Sequence, residues 1–317
     1  MHTSTQQKVQ AIGLDFSHYL FRCSALGYLM AEEKGKSNLE RYNDVKALLD
    51  KTKNELGNAK RYDAKGNEMK SYINLSEKLN KIAANLDELS KTKDDVTLSE
   101  GAKTHLMDIY ISEIYGRNTE IENKYIKKGL MVEEDGITIY SRIKKVFFAK
   151  NETRLKNSFI QGTPDSFVGA SIHEAERVPD IKCSWNAYTF YRTFIKDMNS
   201  IYYWQGMGYM WLTGAKYFDL AYCLVNTPES LIEAEKRSLW YKLGQPEETN
   251  GNFIDACAEL EKSLTYDDIP LHERMLEYTI ERNDADIELL KKKILAARKY
   301  LNQLHIDLTT KFNPSLI

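Results

Sequence analysis

The residues best suited to chemistry lie in one short stretch in the middle of the chain. Asp165 follows a Gly-Thr-Pro turn, and Asp180, Ile181 and Lys182 lie on an apolar run further along. Hydrolysis of a phosphodiester requires charge neutralisation on the phosphate, an activated water and a stabilised leaving oxygen. Two carboxylates can hold a magnesium ion that meets these needs, and a nearby lysine can bind the phosphate or position the water. The stretch therefore predicts a metal-dependent phosphodiesterase site.

The spacing within the second group predicts how its side chains point. Residues i and i+2 of a strand share a face, so Asp180 and Lys182 are expected to project together. Ile181 then turns into the core, and its backbone carbonyl is available to a metal ion. Pro179 precedes Asp180 and has no N–H to donate, which predicts that this strand lies at a sheet edge or carries a bulge. Asp165 is expected on an adjacent strand.

Two further spacings place polar side chains on predicted helices. Gly129 and Glu133 form a Gly-x-x-x-Glu pattern, although Glu134 is an equally available acid. Gln205 and Tyr209 are four residues apart, so on a helix both side chains lie on one face. These residues could complete a site around the acids, or they could be ordinary helix-surface and core residues.

Near the start of the chain, Arg22 and Ser24 precede an apolar helical run. Ser24 is predicted to be the N-cap of that helix. A helix N-terminus also favours anions, so a phosphate could bind at the same place.

Taken in chain order, these segments resemble the PD-(D/E)XK nuclease superfamily, in its lambda-exonuclease and RecB-like branch. Pro164-Asp165 corresponds to the PD, and Asp180-Ile181-Lys182 corresponds to the (D/E)XK. The resemblance implies catalytic roles for Glu133, Asp165, Asp180, Lys182 and Gln205. It implies Mg²⁺, with Mn²⁺ as an alternative, held by Glu133, Asp165, Asp180 and Ile181. It implies DNA contacts from Arg22, Ser24, Gln205 and Tyr209, with Arg22 and Ser24 near a 5′ phosphate.

The resemblance also implies an activity and partners. The expected activity is exonuclease digestion of linear double-stranded DNA from a 5′ end, of the phage recombination type. A single-strand DNA annealing protein is the expected partner, and the chain could assemble as a homo-oligomeric ring. Two alternatives stay open: an endonuclease on the same fold, and a non-catalytic helical scaffold with a degenerate nuclease core.

Bulk composition limits the remaining function classes. The net charge is −2, which argues against coating nucleic acid by overall charge, although lysines such as Lys127, Lys128 and Lys150 could line a local groove. The four cysteines show no CxxC spacing, so a metal knuckle or iron–sulfur cluster is not indicated. The N-terminal residues do not resemble a signal peptide, and the apolar runs are too short to span a bilayer. A cytoplasmic protein without a membrane partner is expected.

The elements that must position these residues fall into three regions. Residues 1–125 are expected to be helical, with the possible phosphate-binding segment at 16–33 and a helical insertion at 38–95. Residues 126–226 are expected to form the nuclease core, an α+β fold with a restriction-endonuclease-like mixed sheet flanked by helices. Residues 227–317 are expected to be helical and to pack on the core. The predicted elements are helices at 99–123, 129–142 and 198–213, and strands at 158–161, 166–168, 177–183 and 218–225.

The C-terminal region carries an apolar stripe at three- and four-residue spacing, typical of a packed helix. Packing on the N-terminal helices of the same chain is favoured over an oligomer contact. The stripe is Ile287, Leu290, Ile294, Ala297, Leu301 and Leu304.

Overall fold

The computed structural model describes residues 15–31, 35–118 and 123–312. Helices account for most of this part of the chain, and strands are few and short. The helices are α1 Leu26–Leu29, α2 Asn38–Asn58, α3 Lys70–Thr92, α4 Glu100–Tyr115, α5 Lys124–Met131, α6 Glu133–Lys144, α7 Ala187–Tyr191, α8 Ser200–Thr213, α9 Glu229–Lys242, α10 Gly251–Lys262 and α11 Asp284–Phe312. The 3₁₀ turns are Phe16–His18, Cys23–Ala25, Ile172–Glu174, Arg192–Ile195 and Leu271–Glu273.

Six strands form two small mixed sheets in the described chain. The first sheet has the order β1-β3-β2, with β1 parallel to β3 and β2 antiparallel to it. The second has the order β4-β5-β6, with β4 parallel to β5 and β6 antiparallel to it. The strands are β1 Phe21–Arg22, β2 Leu155–Lys156, β3 Ile160–Gly162, β4 Arg177–Cys183, β5 Tyr217–Cys223 and β6 Met275–Glu281.

Strand β4 is sandwiched between two helices, which is why its seven residues are mostly buried. Helix α6 approaches one face so closely that a Cβ on Gly136 would lie 2.7 Å from Cys183 Sγ and 2.8 Å from Ile181 Cγ2. Helix α8 covers the other face, where Gly206 lets the helix backbone rest on the Phe218 ring of β5. Both glycines are therefore required by close packing around the sheet.

The main core joins the first and last described segments. The apolar side of α11 is buried together with residues of the N-terminal segment, α4, α8 and β5. The C-terminal stripe therefore packs within the chain, as favoured from its spacing, with Leu301 fully buried and Leu304 at the margin.

Helices α2 and α3 form an antiparallel hairpin that packs mainly on itself. A capping box begins α2, in which Ser37 and Glu40 satisfy each other's backbone N–H groups. Leu49, Thr52 and Ile82 are buried in this hairpin, and most of its other residues are exposed. The helical insertion predicted at 38–95 is thus two helices with a turn between them.

Several predicted elements differ from the structure. The helix expected at 129–142 is two helices, because Val132 leaves the helical conformation at φ −113°, ψ 15°. The strand expected at 166–168 is wrong, since only Val168 pairs there, in a bridge to Arg177. Helix α4 stops at Gly116, which adopts φ 62°, instead of continuing to 123. Strand β6 was not predicted, although it completes the second sheet.

No helix of the described chain is both long enough and apolar enough to cross a membrane.

Candidate active site

Strand β4 is the edge strand of its sheet and carries Asp180 and Lys182 on the face toward α8, as the alternation and Pro179 predicted. Asp180 is fully buried. Its Oδ1 accepts a hydrogen bond of 2.9 Å from Gln205 Nε2. Its Oδ2 lies 2.6 Å from Lys182 Nζ, but this ion pair lacks hydrogen-bond geometry, and no donor among the described residues satisfies that oxygen.

Asp165 lies at a bend three residues beyond β3, so the expectation that it sits on a strand is wrong. Its Oδ2 accepts a hydrogen bond of 2.8 Å from the backbone N–H of Ile181, which fixes it beside β4. Asn151 stabilises the bend through two hydrogen bonds. Its side-chain amide donates to the Pro164 carbonyl at 2.8 Å, and its backbone N–H donates to the Asp165 carbonyl at 2.7 Å.

Burial and charge act on these groups in opposite directions. Burial, reinforced by the neighbouring Asp180 carboxylate, raises the pKa of Asp165 well above its ordinary value, and Lys182 only partly offsets this. Burial alone would lower the pKa of Lys182, but the Asp180 and Asp165 carboxylates raise it above its ordinary value. Lys182 is therefore a firmly protonated cation placed against two crowded carboxylates.

Glu133 begins α6, directly after the break at Val132. Its carboxylate pairs with Lys150 Nζ at 2.5 Å and is about a quarter exposed. It is near enough to the site to contribute to the raised pKa of Asp165. Glu134 is exposed, so of these two adjacent acids it is Glu133 that faces the carboxylate pair. Gly129 lies on the preceding helix, so the Gly-x-x-x-Glu pattern spans two elements.

The donor set fits a hard divalent cation. Asp180 Oδ2 is buried without a hydrogen-bond donor among the described residues, and the Asp165 carboxyl group, whose pKa is raised by burial and by Asp180, lies in the same site. Among the described residues, no three His, Cys, Asp or Glu side chains come together as a ready-made metal cage. Magnesium commonly keeps several waters and binds one or two protein carboxylates, which matches this pair.

Gln205 and Tyr209 share one face of α8, as their spacing predicted, and both are buried. Gln205 Nε2 donates to Asp180 and also to the Tyr209 hydroxyl, at 3.1 Å. The Tyr209 hydroxyl donates in turn to the Thr163 carbonyl at 3.2 Å. This chain of hydrogen bonds links α8 to the strand that carries Asp180 and to the loop that carries Asp165. Direct DNA contacts from these two side chains stay a prediction.

Arg22 and Ser24 are both exposed beside the first sheet. Arg22 is in register with Gln161 on β3, the strand that leads to the Asp165 bend. Ser24 lies within a 3₁₀ turn, so its predicted N-cap role is wrong: Ala25 is the N-cap of α1 and makes no side-chain cap. Phosphate binding by Arg22 and Ser24 stays a prediction.

Sequence reasoning missed two residues that position the site. Asn151, which supports the Asp165 bend, lies 14 residues before it, and nothing in its local pattern signals the contact. Lys150 was considered only as part of a general basic surface, yet it is the partner of Glu133. A polar residue next to a lysine in an unstructured stretch carries little information without the fold.

Comparisons with known proteins bear on the fold. No family model matches this chain, and no curated protein matches it. Its structure is similar to that of the phage related exonuclease from Haemophilus somnus 129PT, with a TM-score of 0.57 and 21% sequence identity over 92% of this chain and 97% of that chain. An alkaline exonuclease from Laribacter hongkongensis gives a TM-score of 0.47 at 16% identity, over 69% of this chain and 89% of that chain. The first likeness confirms the predicted nuclease-like α+β fold.

Proposed function

We propose that this chain is a metal-dependent exonuclease that hydrolyses phosphodiester bonds of linear double-stranded DNA. The observation that supports it is the meeting of Asp165, Asp180 and Lys182 at an edge strand. The fold is also shared with a protein described as a phage related exonuclease.

Each residue has a definite role in this proposal. Asp165, Asp180 and the Ile181 carbonyl hold the cation, Mg²⁺ or Mn²⁺, with Glu133 as a further ligand once it is released from Lys150. When bound, the cation supplies charge neutralisation and a more acidic water. Lys182, 2.6 Å from Asp180, stabilises negative charge on the phosphate. Gln205 holds Asp180 in orientation through its 2.9 Å hydrogen bond.

The proposed polarity is 5′ to 3′, with the terminal phosphate held by Arg22 and Ser24. Both side chains are exposed next to the strand that leads to Asp165. Phosphorylated ends should therefore be digested faster than hydroxyl ends, and Ser24→Ala should reduce that preference. Equal digestion of both ends by the unmutated protein would remove the basis for this assignment.

Partners follow from the same proposal. Resection from a 5′ end leaves a 3′ overhang, which a single-strand annealing protein would use. Assembly as a homo-oligomeric ring around DNA and action in the cytoplasm of a bacterial host also belong to this proposal.

The activity is tested with a linear, 5′-phosphorylated duplex and a closed circle of the same sequence, each with magnesium or EDTA. Lys182→Ala is compared with the unmutated chain and with Lys156→Ala, which removes an exposed lysine of β2. Magnesium-dependent loss of the linear DNA alone, absent in Lys182→Ala and intact in Lys156→Ala, supports the exonuclease. Cutting of the circle indicates an endonuclease, and no cleavage of either substrate favours the non-catalytic scaffold.

A further inference from the structure

An exposed apolar surface lies on the segment that follows the active-site strand. Four large apolar side chains on α7 and the 3₁₀ turn after it are exposed, although two of them, Tyr191 and Phe194, also contact the buried Phe190 ring. Their exposed fractions are 70% for Tyr188, 43% for Tyr191, 49% for Phe194 and 83% for Ile195. Contiguous exposed apolar surface of this kind marks an interaction site more often than chance exposure.

The arrangement of these side chains is ordered. At helical spacing, Tyr188, Tyr191, Arg192 and Ile195 fall on one side of the segment, while Phe190 on the opposite side is fully buried against Leu224 and Tyr266. The exposed side forms an open cleft of about 350 Å³. The Tyr191 and Phe194 rings stack on each other at 5.8 Å. A buried anchor thus holds a row of aromatic rings out toward solvent.

The cleft is separate from the carboxylates but is connected to them by a row of tyrosines. Lys182 Nζ lies 5.2 Å from the Tyr202 ring centroid, and Tyr202 contacts Tyr222. Tyr222 contacts Tyr278, whose hydroxyl donates to the Thr193 carbonyl at 3.1 Å. Three half-buried tyrosines in mutual contact therefore link the active-site lysine to the exposed segment.

The chemistry of this surface fits unpaired nucleotides. Exposed aromatic faces stack on bases regardless of sequence, and an arginine among them can bind phosphate or stack as well. Arg192 lines the cleft, and Lys196 is exposed just beyond it, with Asp197 as the acid next to it. Paired bases inside a duplex do not offer their faces to such rings. The surface therefore favours single-stranded over double-stranded DNA.

We propose that Tyr188, Tyr191 and Arg192 form a stacking site for single-stranded DNA, which holds the strand left unpaired beside the active site. This role for the bound strand rests on the proposed exonuclease function. The binding itself does not, because it can be measured in EDTA without cleavage. A partner protein or a second copy of the chain would be a different occupant, and the test below distinguishes them.

The test measures the affinity of a fluorescently labelled oligothymidine by anisotropy in EDTA. Tyr188→Ala should weaken binding by about 5- to 150-fold, the range for loss of one base–aromatic stack. Tyr188→Phe should restore it, because the ring is kept. Phe147→Ala is the matched control, since Phe147 is 87% exposed and does not line the cleft. Duplex binding should change less than twofold in all variants.

An unchanged oligothymidine affinity in Tyr188→Ala, or the same loss in Phe147→Ala, would overturn the proposal. So would a change in oligomeric state without a change in DNA affinity, which would indicate a protein contact. A second experiment uses the unmutated chain, so its result does not depend on whether a variant folds. Photocrosslinking of an iodouracil-containing single strand should label residues 188–195, and labelling elsewhere alone would contradict the assignment. Binding without nuclease activity would refute the proposed function and leave the stacking site in place.

Discussion

Replacing Asp165 by asparagine should stabilise the metal-free protein. Asp165 and Asp180 are carboxylates placed together in a largely buried site, and Lys182 is the cation against them. Asparagine keeps the shape of the side chain and an oxygen that can still accept the N–H of Ile181. The substitution therefore removes one negative charge and little else.

The size of the effect follows from the pKa of Asp165, which folding raises above 3.8. A carboxyl group with a raised folded-state pKa favours the folded state in acid, and that contribution is lost as the pH rises from about 4 through the folded-state pKa. Each pH unit between the unfolded-state pKa and the folded-state pKa of about 8 costs about 1.4 kcal/mol as the pH rises through it. At neutral pH, Asp165→Asn should therefore gain at least about 1.4 kcal/mol, or about 2 °C in Tm.

Thermal unfolding in EDTA at several pH values measures this gain. The advantage of Asp165→Asn should shrink toward zero below about pH 3, where the wild-type carboxyl group is protonated in both states. Glu174→Gln is the control, because Glu174 is an exposed acid in the same loop, and its effect should stay within about 0.5 kcal/mol. Added magnesium should stabilise the wild type more than the variant, since only the wild type keeps both carboxylates. A lower Tm for Asp165→Asn than for the wild type in EDTA would refute the reasoning.

Three other changes test separate parts of the structure. Lys182→Ala leaves the buried Asp180 without its cation and should lower the free energy of unfolding in EDTA by about 2 kcal/mol. The same variant should bind DNA nearly as well as the wild type but not cleave it. Normal cleavage would exclude the role assigned to Lys182. Gln205→Leu removes the hydrogen-bond donor to Asp180 and Tyr209 and should lower the free energy of unfolding by about 1–3 kcal/mol. The loss should appear as a lower midpoint of urea unfolding, and the folded fraction should cleave DNA more slowly. Lys128 is fully buried with its ammonium 2.8 Å from the Trp185 carbonyl, and burial lowers its pKa to about 8. Because unfolded lysine keeps its proton to about pH 10.4, the wild type should gain about 2 kcal/mol relative to Lys128→Met between pH 8 and 10; parallel stability curves would contradict this.

The sequence identified the parts of the site that depend on local periodicity. Alternation along β4 predicted that Asp180 and Lys182 share a face, and Pro179 predicted an edge strand; both features are in the structure. The four-residue spacing on α8 likewise placed Gln205 and Tyr209 together. These features are set within a few residues, so a single sequence carries enough information to predict them.

The features that sequence reasoning missed depend on long-range pairing. Strand β6 lies between helices in the C-terminal region, and its half-buried pattern becomes meaningful only when β5 is beside it. The bend at Asp165 is held by Asn151 and Ile181, neither of which is adjacent in sequence. Ser24 has a favourable residue type for an N-cap, but the chain enters α1 through a 3₁₀ turn. N-cap propensity makes serine a favourable residue at a helix start, but tertiary packing decides where the helix begins.

The break at Val132 matters most for the chemistry. In one continuous helix, Glu133 would be an interior residue without the free N–H groups of a helix start. Because α6 begins at Glu133, its carboxylate lies at a helix N-terminus, where negative charge is favoured, and it is also paired with Lys150. Two favourable interactions therefore hold Glu133 in place near Asp165 without a metal ion. A metal that recruits Glu133 must compete with Lys150. Lys150→Ala should therefore raise the affinity for the metal ion, whereas Lys156→Ala should leave that affinity unchanged.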